Sequence, residues 1–324
     1  MPLSLRDVRA AATRIRPHVD ETPVVHSRTL DEFVGCRVFL KCEHLQRTGS
    51  FKYRGATNAT RLLCETDAGV ARRGVVTDSS GNHGAAVARA ARELGIPAYV
   101  VVPRSAPPAK KAVIEAYGAT LIECAASEVA RLRARDLVAR ETGATPVPSS
   151  DDHAVIAGAG TAALELLGQT GRLTAIVVPV GGGGLLAGTL LAAASRKQIH
   201  IFGAEPDGAA DAMQSMRAGH LVDVLPRTTI ADGLLVSLKP KPWDVIRSSR
   251  AEILDVPDEE TLESLVEVWT RTKNVIEPSA AVAVALARKL VMSGRLGRAD
   301  RVGIIISGGN TSIRLARLRP YVYR

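Results

Sequence analysis

Lys52 stands between the turn Thr48-Gly49-Ser50 and the helix-prone run Ala56–Leu63, which places its amine near a helix N-terminus. The positive end of a helix dipole disfavours an ammonium there. Desolvation by Phe51 and Tyr53 acts in the same direction. A neutral lysine amine is the form that attacks a carbonyl and gives a Schiff base. Position alone fits an ordinary exposed lysine at a helix start better.

Three other segments carry groups suited to chemistry. Gly181-Gly182-Gly183-Gly184 follows the apolar run Ala175–Val180 and precedes a helical stretch, Leu185–Arg196. Strand, glycine loop and helix gather bare backbone N–H groups around one point, an anion site suited to phosphate. The same residues read as Gly182-x-Gly184-x-x-Ala187 with Glu205 about twenty residues on, which fits a dinucleotide fingerprint. Ser79-Ser80-Gly81-Asn82-His83 also joins a strand to a helix, and its hydroxyls and amides can hold a carboxylate or simply cap a tight turn. In Glu205-Pro206-Asp207-Gly208-Ala209-Ala210-Asp211, two carboxylates bracket a Gly-Ala-rich loop. Such a loop is an oxygen cage for a hard cation, or two solvated acids beside a strand end.

These groups need a scaffold. Apolar runs alternate with amphipathic stretches in a βαβα rhythm, which predicts an α/β fold on parallel sheets. Strands are expected at Gly74–Thr77, Ala98–Val102, Thr120–Cys124, Ala175–Val180, Ile199–Ala204 and Val302–Ile306. Helices are expected over His83–Leu94, from near Lys110, and over Ser127–Thr142 with Ser127 as its N-cap. The 324 residues suffice for two lobes around a sizeable core. Apolar residues make up 46% and aromatics 3%, a mix suited to helices packed on a parallel sheet.

The net charge of +9 comes without a basic run interleaved with aromatics, and Arg131, Arg133, Arg135 and Arg140 read as a solvated helix face. No nucleic-acid partner is expected. No apolar run reaches the length of a membrane span. Cys36, Cys42, Cys64 and Cys124 show neither a Cys-x-x-Cys pair nor metal spacing with histidine, which fits free cytoplasmic thiols.

Gln46-Arg47-Thr48-Gly49-Ser50-Phe51-Lys52-Tyr53-Arg54-Gly55-Ala56 resembles the cofactor-lysine motif of the serine/threonine dehydratase and serine racemase family. Ser79–Gly84, Gly181–Gly184, Glu277-Pro278-Ser279 and Ser307-Gly308-Gly309-Asn310 match in the family's order, so the resemblance spans residues 46 to 310. It implies a two-domain fold-type II (tryptophan synthase β-like) enzyme dependent on pyridoxal 5′-phosphate. The large domain would be residues 1–73 and 150–324, the small domain 74–149, and the assembly a homodimer. Lys52 would anchor the cofactor, Gly181–Gly184 would cradle its phosphate, and Asn82 would meet its 3′ oxygen. Ser307 would sit at the ring nitrogen and Glu277 near the ring, with Phe51 and Leu185 as further cofactor contacts.

In the same resemblance Ser79, Ser80, Gly81, Asn82 and His83 bind the substrate carboxylate. Ser80 is the acid/base opposite Lys52, while Glu205, Ala209 and Asp211 bind magnesium or a similar ion. Ala280 stands where the family's Glu-Pro-Ser-Gly-Ala has glycine, a departure beside Glu277. The implied activity is elimination of water and ammonia from serine, threonine or 3-hydroxyaspartate, with serine racemisation permitted by Ser80. A β-replacement synthase of the cysteine synthase type, or a non-catalytic metabolite-binding protein, are the rivals on the same fold.

Overall fold

The computed structural model describes residues 2–225 and 227–311. Ten strands run in chain order as β1 (Val24–Val25), β2 (Arg37–Cys42), β3 (Val75–Thr77), β4 (Ala98–Pro103), β5 (Thr120–Cys124), β6 (Thr145–Pro146), β7 (Ala175–Pro179), β8 (His200–Pro206), β9 (Glu252–Val256) and β10 (Arg301–Ile306). They form two sheets. One is six-stranded, β1-β2-β10-β7-β8-β9, in which only β1 runs antiparallel. The other is four-stranded, β5-β4-β3-β6, and wholly parallel.

Every strand of the smaller sheet comes from residues 75–146, and the larger sheet takes strands from both sides of that segment. We propose the domain division 1–73 with 150–324, and 74–149, on this membership; residues 312–324 lie outside the described ones.

The apolar runs bury as parallel strands do when helices cover both faces. Along β10, Val302, Ile304 and Ile306 enter the cluster around the helix Pro278–Met292, and Ile305 enters the cluster on the other face. That second face is covered by the helices His153–Gln169 and Gly184–Ala192. These two helices meet backbone to backbone: a Cβ on Gly188 would lie 2.5 Å from the Gly160 nitrogen. Ser127 caps the helix Glu128–Thr142 by accepting from the Ala130 N–H at 3.1 Å.

The expected strands are all present within two residues of their predicted ends, whereas the helix after the glycine loop stops at Ala192, short of Arg196. Strand β2 was not among the expected ones, although it lies beside β10 in the larger sheet. Lys41 explains the omission, because a charge near the end of a strand argues against burial. In the fold Lys41 is fully buried, and its Nζ donates to the Thr22 carbonyl at 2.7 Å, Glu165 at 2.6 Å and Gln169 at 2.9 Å.

Glu165 shares its carboxylate with Arg54, which is also fully buried. The Arg54 guanidinium donates to Glu43 at 2.7 and 2.9 Å and to Glu165 at 2.6 and 2.7 Å. Burial alone would push Glu43 up, but Arg54 outweighs it and holds the carboxyl below its usual range. Replacing Arg54 by Met strands Glu43 without its countercharge, an expected loss of about 3–5 kcal/mol in stability. The double change Arg54→Met with Glu43→Gln removes that stranded charge, and denaturant unfolding should recover a large part of the loss.

Candidate active site

The C-terminal ends of adjacent parallel strands deliver the predicted residues to one place, the location favoured for ligands in open α/β sheets. Strand β2 leads to the lysine turn, β10 to Ser307 and β7 to the four glycines. Strand β3 of the smaller sheet leads to Ser79–His83. Lys52, Ser80, Asn82, Gly182, Glu277 and Ser307 all line one cavity of about 740 Å³.

Two neighbouring loops hold the lysine in place. The Phe51 N–H donates to the Ser307 carbonyl at 2.9 Å and the Gly309 N–H to the Gly49 carbonyl at 2.9 Å. Asn310 Nδ2 adds a bond to the Thr48 carbonyl at 2.8 Å. Gly49 is required here: its φ is +75°, and a Cβ would stand 2.3 Å from Asn310 Oδ1. Lys52 is the first residue of the helix Lys52–Thr66, and its Nζ donates to the Ser149 carbonyl at 2.7 Å. Burial brings its pKa down to about 8, against an opposing pull from Glu277.

The turn Ser79–Asn82 opens the helix Asn82–Leu94, whose first amides have no side-chain cap. A Cβ built on Gly81 would meet open space, so the backbone there faces the cavity. Asn82 donates from Nδ2 to both Glu277 oxygens at 3.1 Å and accepts from Asn310 Nδ2 at 2.8 Å. Burial raises the Glu277 carboxyl to about 7, with the Asn82 bond opposing. His83 is buried, one ring nitrogen lies 2.9 Å from the Val147 carbonyl, and burial lowers its pKa to about 3. It is therefore a neutral donor to Val147, with Nδ1 left over as an acceptor.

The glycine loop rises from β7 into the helix Gly184–Ala192, with Gly183 at φ +83°. A Cβ on Gly182 would lie 2.3 Å from Ser150 Oγ, and one on Gly183 would lie 2.4 Å from Leu238 Cδ1. The loop is thus a cradle that side chains would fill, and the donors it offers are amides, as phosphate requires. Ser307 and Leu185 are both buried at its edge of the cavity. The residues fit the phosphate, ring and amine-reactive carbonyl of pyridoxal phosphate. The dinucleotide alternative fits less well, since both Glu205 oxygens are already taken by the Ala212 and Met213 amides at 3.0 and 2.7 Å.

Glu205, Ala209 and Asp211 are buried together but do not line the cavity. Burial, with Asp211 adding to it, pushes Glu205 up to about 8, and Asp211 is raised by its own burial. Asp211 Oδ2 accepts from the Leu238 N–H at 2.7 Å, and Arg227 approaches Oδ1 at 3.6 Å. Both carboxylates are raised by burial, while the Glu205 oxygens and Asp211 Oδ2 already accept from backbone amides. Among the described residues no cluster of three or more His, Cys, Asp or Glu could hold a metal, so any such ion relies on backbone oxygens as well.

Sequence reasoning missed several residues that line the same cavity. Arg131, taken for part of a solvated face, lines its wall with a buried Nε that has no hydrogen-bond partner among the described residues. Arg135, from the same helix, pairs with Asp78 at 3.2 Å. Lys110–Asp232 at 2.7 Å and Lys239–Glu128 at 2.8 Å join elements on opposite sides of the mouth. No local pattern in the chain marks these residues, because the ion-pair partners lie 57 to 122 positions away.

The lysine pKa fixes a pH dependence. The folded amine titrates near 8 and an ordinary lysine near 10.5, so the unfolded chain holds the extra proton between these values. This group's contribution to stability therefore rises with pH across that window. The neutral fraction of Lys52 rises over the lower part of it. Capture of Lys52 by formaldehyde and cyanoborohydride, followed by peptide mass spectrometry, should accelerate with a midpoint near pH 8. A midpoint near 10.5 would mean that the amine is solvated.

The chain is similar to proteins of known chemistry over nearly its whole length. The pyridoxal-phosphate dependent enzyme family matches residues 15–308. The beta-hydroxyaspartate dehydratase of Paracoccus denitrificans is 41% identical over 309 residues, covering 95% of this chain and 96% of that protein. The serine racemase of Homo sapiens is 41% identical over 313 residues, covering 96% and 92%. The crystal structure of serine racemase from Dictyostelium discoideum superposes with a TM-score of 0.90 at 40% identity, covering 96% of this chain and 99% of that one. The chain belongs to the pyridoxal-phosphate dependent enzymes.

Proposed function

We propose that the protein is an ammonia-lyase acting on a small 3-hydroxy amino acid, with amino-acid racemisation as a second outcome at the same site. The observation that carries this reading is a convergence on one cavity. A lysine amine of lowered pKa, an uncapped helix turn and a glycine cradle meet there. When bound, pyridoxal phosphate supplies a carbonyl for the substrate amine and a ring that draws electrons from Cα.

Lys52 holds the cofactor between turnovers. Once its amine is freed, Lys52 Nζ takes the α-proton. The amides and hydroxyls of Ser79–Asn82 receive the substrate carboxylate and fix the Cα–H bond toward Lys52. The electron pair left at Cα expels the β-hydroxyl, which departs as water with the proton that Lys52 Nζ took, and hydrolysis of the unsaturated product gives an oxo acid and ammonia. Ser80, delivering a proton to the opposite face of Cα, gives racemisation instead. The neutral Ser307 hydroxyl does not enforce a charged ring nitrogen, which supports elimination over transamination.

The cationic wall at Arg131 favours a substrate with an acidic side chain, hence 3-hydroxyaspartate ahead of serine and threonine. A cytoplasmic homodimer completes the proposal, supported by family resemblance and by four unpaired cysteines. No helix of the described residues is long and apolar enough to cross a membrane.

A panel of the three amino acids, followed by oxo-acid and ammonia release, should show 3-hydroxyaspartate turned over best. Lys52→Ala should release none, and Ser80→Ala should keep elimination while losing racemisation. Product formed only when sulfide is supplied would instead establish the β-replacement rival. Divalent-cation binding at Glu205, Ala209 and Asp211 must expel the Glu205 proton, so Mg²⁺ affinity should climb by up to about tenfold per pH unit below 8 and then level. Calorimetric titration of wild type and Glu205→Gln checks this; unchanged binding in the variant would place the ion elsewhere.

A further inference from the structure

Arg227 stands between the helix Asp211–Ala218 and the stretch Asp232–Val236, which lines the cavity. Its side chain is 8% exposed, and Nη2 donates to Ser237 Oγ at 2.7 Å and to Asp223. Its Nε lies 3.6 Å from Asp211 Oδ1 and has no hydrogen-bond partner among the described residues. The neighbouring Thr228 N–H donates to the Gly208 carbonyl at 3.2 Å, and a Cβ on Gly208 would collide with the Thr228 carbonyl oxygen. The backbone around Arg227 is therefore packed onto the loop between Glu205 and Asp211.

The four carboxylate oxygens of Glu205 and Asp211 are not equivalent. Both Glu205 oxygens and Asp211 Oδ2 accept from amides, whereas Asp211 Oδ1 accepts no hydrogen bond among the described residues. That oxygen is the one open to a cation, and the cation facing it is Arg227. A guanidinium does not lose its charge in a protein. Two cations beside one buried oxygen repel each other, and salt screens buried charges little. The same groups bracket the cavity wall: Arg227 bonds Ser237, Asp211 takes the Leu238 N–H, and Asp232–Val236 precede both.

We propose that Arg227 is a built-in countercharge at Asp211, which holds this wall without a divalent ion and weakens Mg²⁺ binding by standing against Oδ1. The assignment rests on the reading of Glu205, Ala209 and Asp211 as the cation loop. Under it an ion binds there only by moving the guanidinium away from Oδ1, and removing the guanidinium makes the wall depend on the ion.

The test titrates Mg²⁺ by calorimetry into the pyridoxal-phosphate-loaded wild type, Arg227→Gln and Arg227→Lys, with thermal melting in chelator and in Mg²⁺. Arg227→Gln should bind Mg²⁺ at least about tenfold more tightly than wild type. Its melting temperature should fall in chelator and recover at a Mg²⁺ concentration that leaves the wild type unchanged. Arg227→Lys, which keeps the charge, should stay close to wild type in both measurements. Unaltered Mg²⁺ affinity in Arg227→Gln, a loss of stability that Mg²⁺ does not restore, or a wild type destabilised by chelation would each overturn the role of Arg227. Tight Mg²⁺ binding by Arg227→Gln that survives the further change Asp211→Asn would instead remove the cation-loop reading on which the proposal rests.

Discussion

A buried guanidinium governs the geometry of this protein. Arg54 lies two residues beyond Lys52, in the first turn of a helix whose N-terminus has no side-chain cap. What fixes that turn is the fork of bonds from Arg54 to Glu43, which follows β2, and to Glu165 on the helix His153–Gln169. Charges so fully desolvated hold only where each has its partner. Lys41 supplies the second cation to Glu165, and Thr22 donates to Glu43 at 2.6 Å. The network therefore ties strand, lysine helix and supporting helix into one unit, and the position of the Lys52 amine follows from it.

Around that unit the cavity holds three buried ionisable groups close to neutrality. Burial lowers Lys52 and His83 and raises Glu277, so an amine, an imidazole and a carboxyl approach their uncharged forms in one region. The charges expected there belong to the ligands: a phosphate at the glycine cradle and a carboxylate at the Ser79–Asn82 turn. Helix N-termini are suited to both because their partial positive charge needs no side chain and costs no counter-ion. Lys52 and Glu277, at about 8 and about 7, stay near the working pH that proton transfer requires.

The glycines have separate physical reasons. Gly49 adopts a left-handed conformation beneath Asn310, and Gly308 leaves room for Glu277, whose Oε1 would be 2.7 Å from a Cβ. Gly181–Gly184 expose amides. A glycine run in the sequence thus mixes conformational need with access, and only the neighbouring atoms separate the two.

Much of the fold was legible because parallel strands read as short apolar runs and their glycine turns as breaks before helices. Lys52, Ser80, Asn82, the four glycines, Glu277 and Ser307 were legible through the resemblance of their short segments to a family's motifs, since each segment is written within a few residues. Strand β2 was not, because Lys41 is acceptable in a buried strand only when Glu165, more than a hundred residues away, lies beside it. Arg131 was not, because a helix with charges on several faces does not reveal which face a second lobe will cover. Local turn chemistry and strand pattern were set by the sequence itself. The pairing of buried charges, the neutral lysine and the walls of the cavity were decided by tertiary packing, because desolvation depends on atoms brought together from distant parts of the chain.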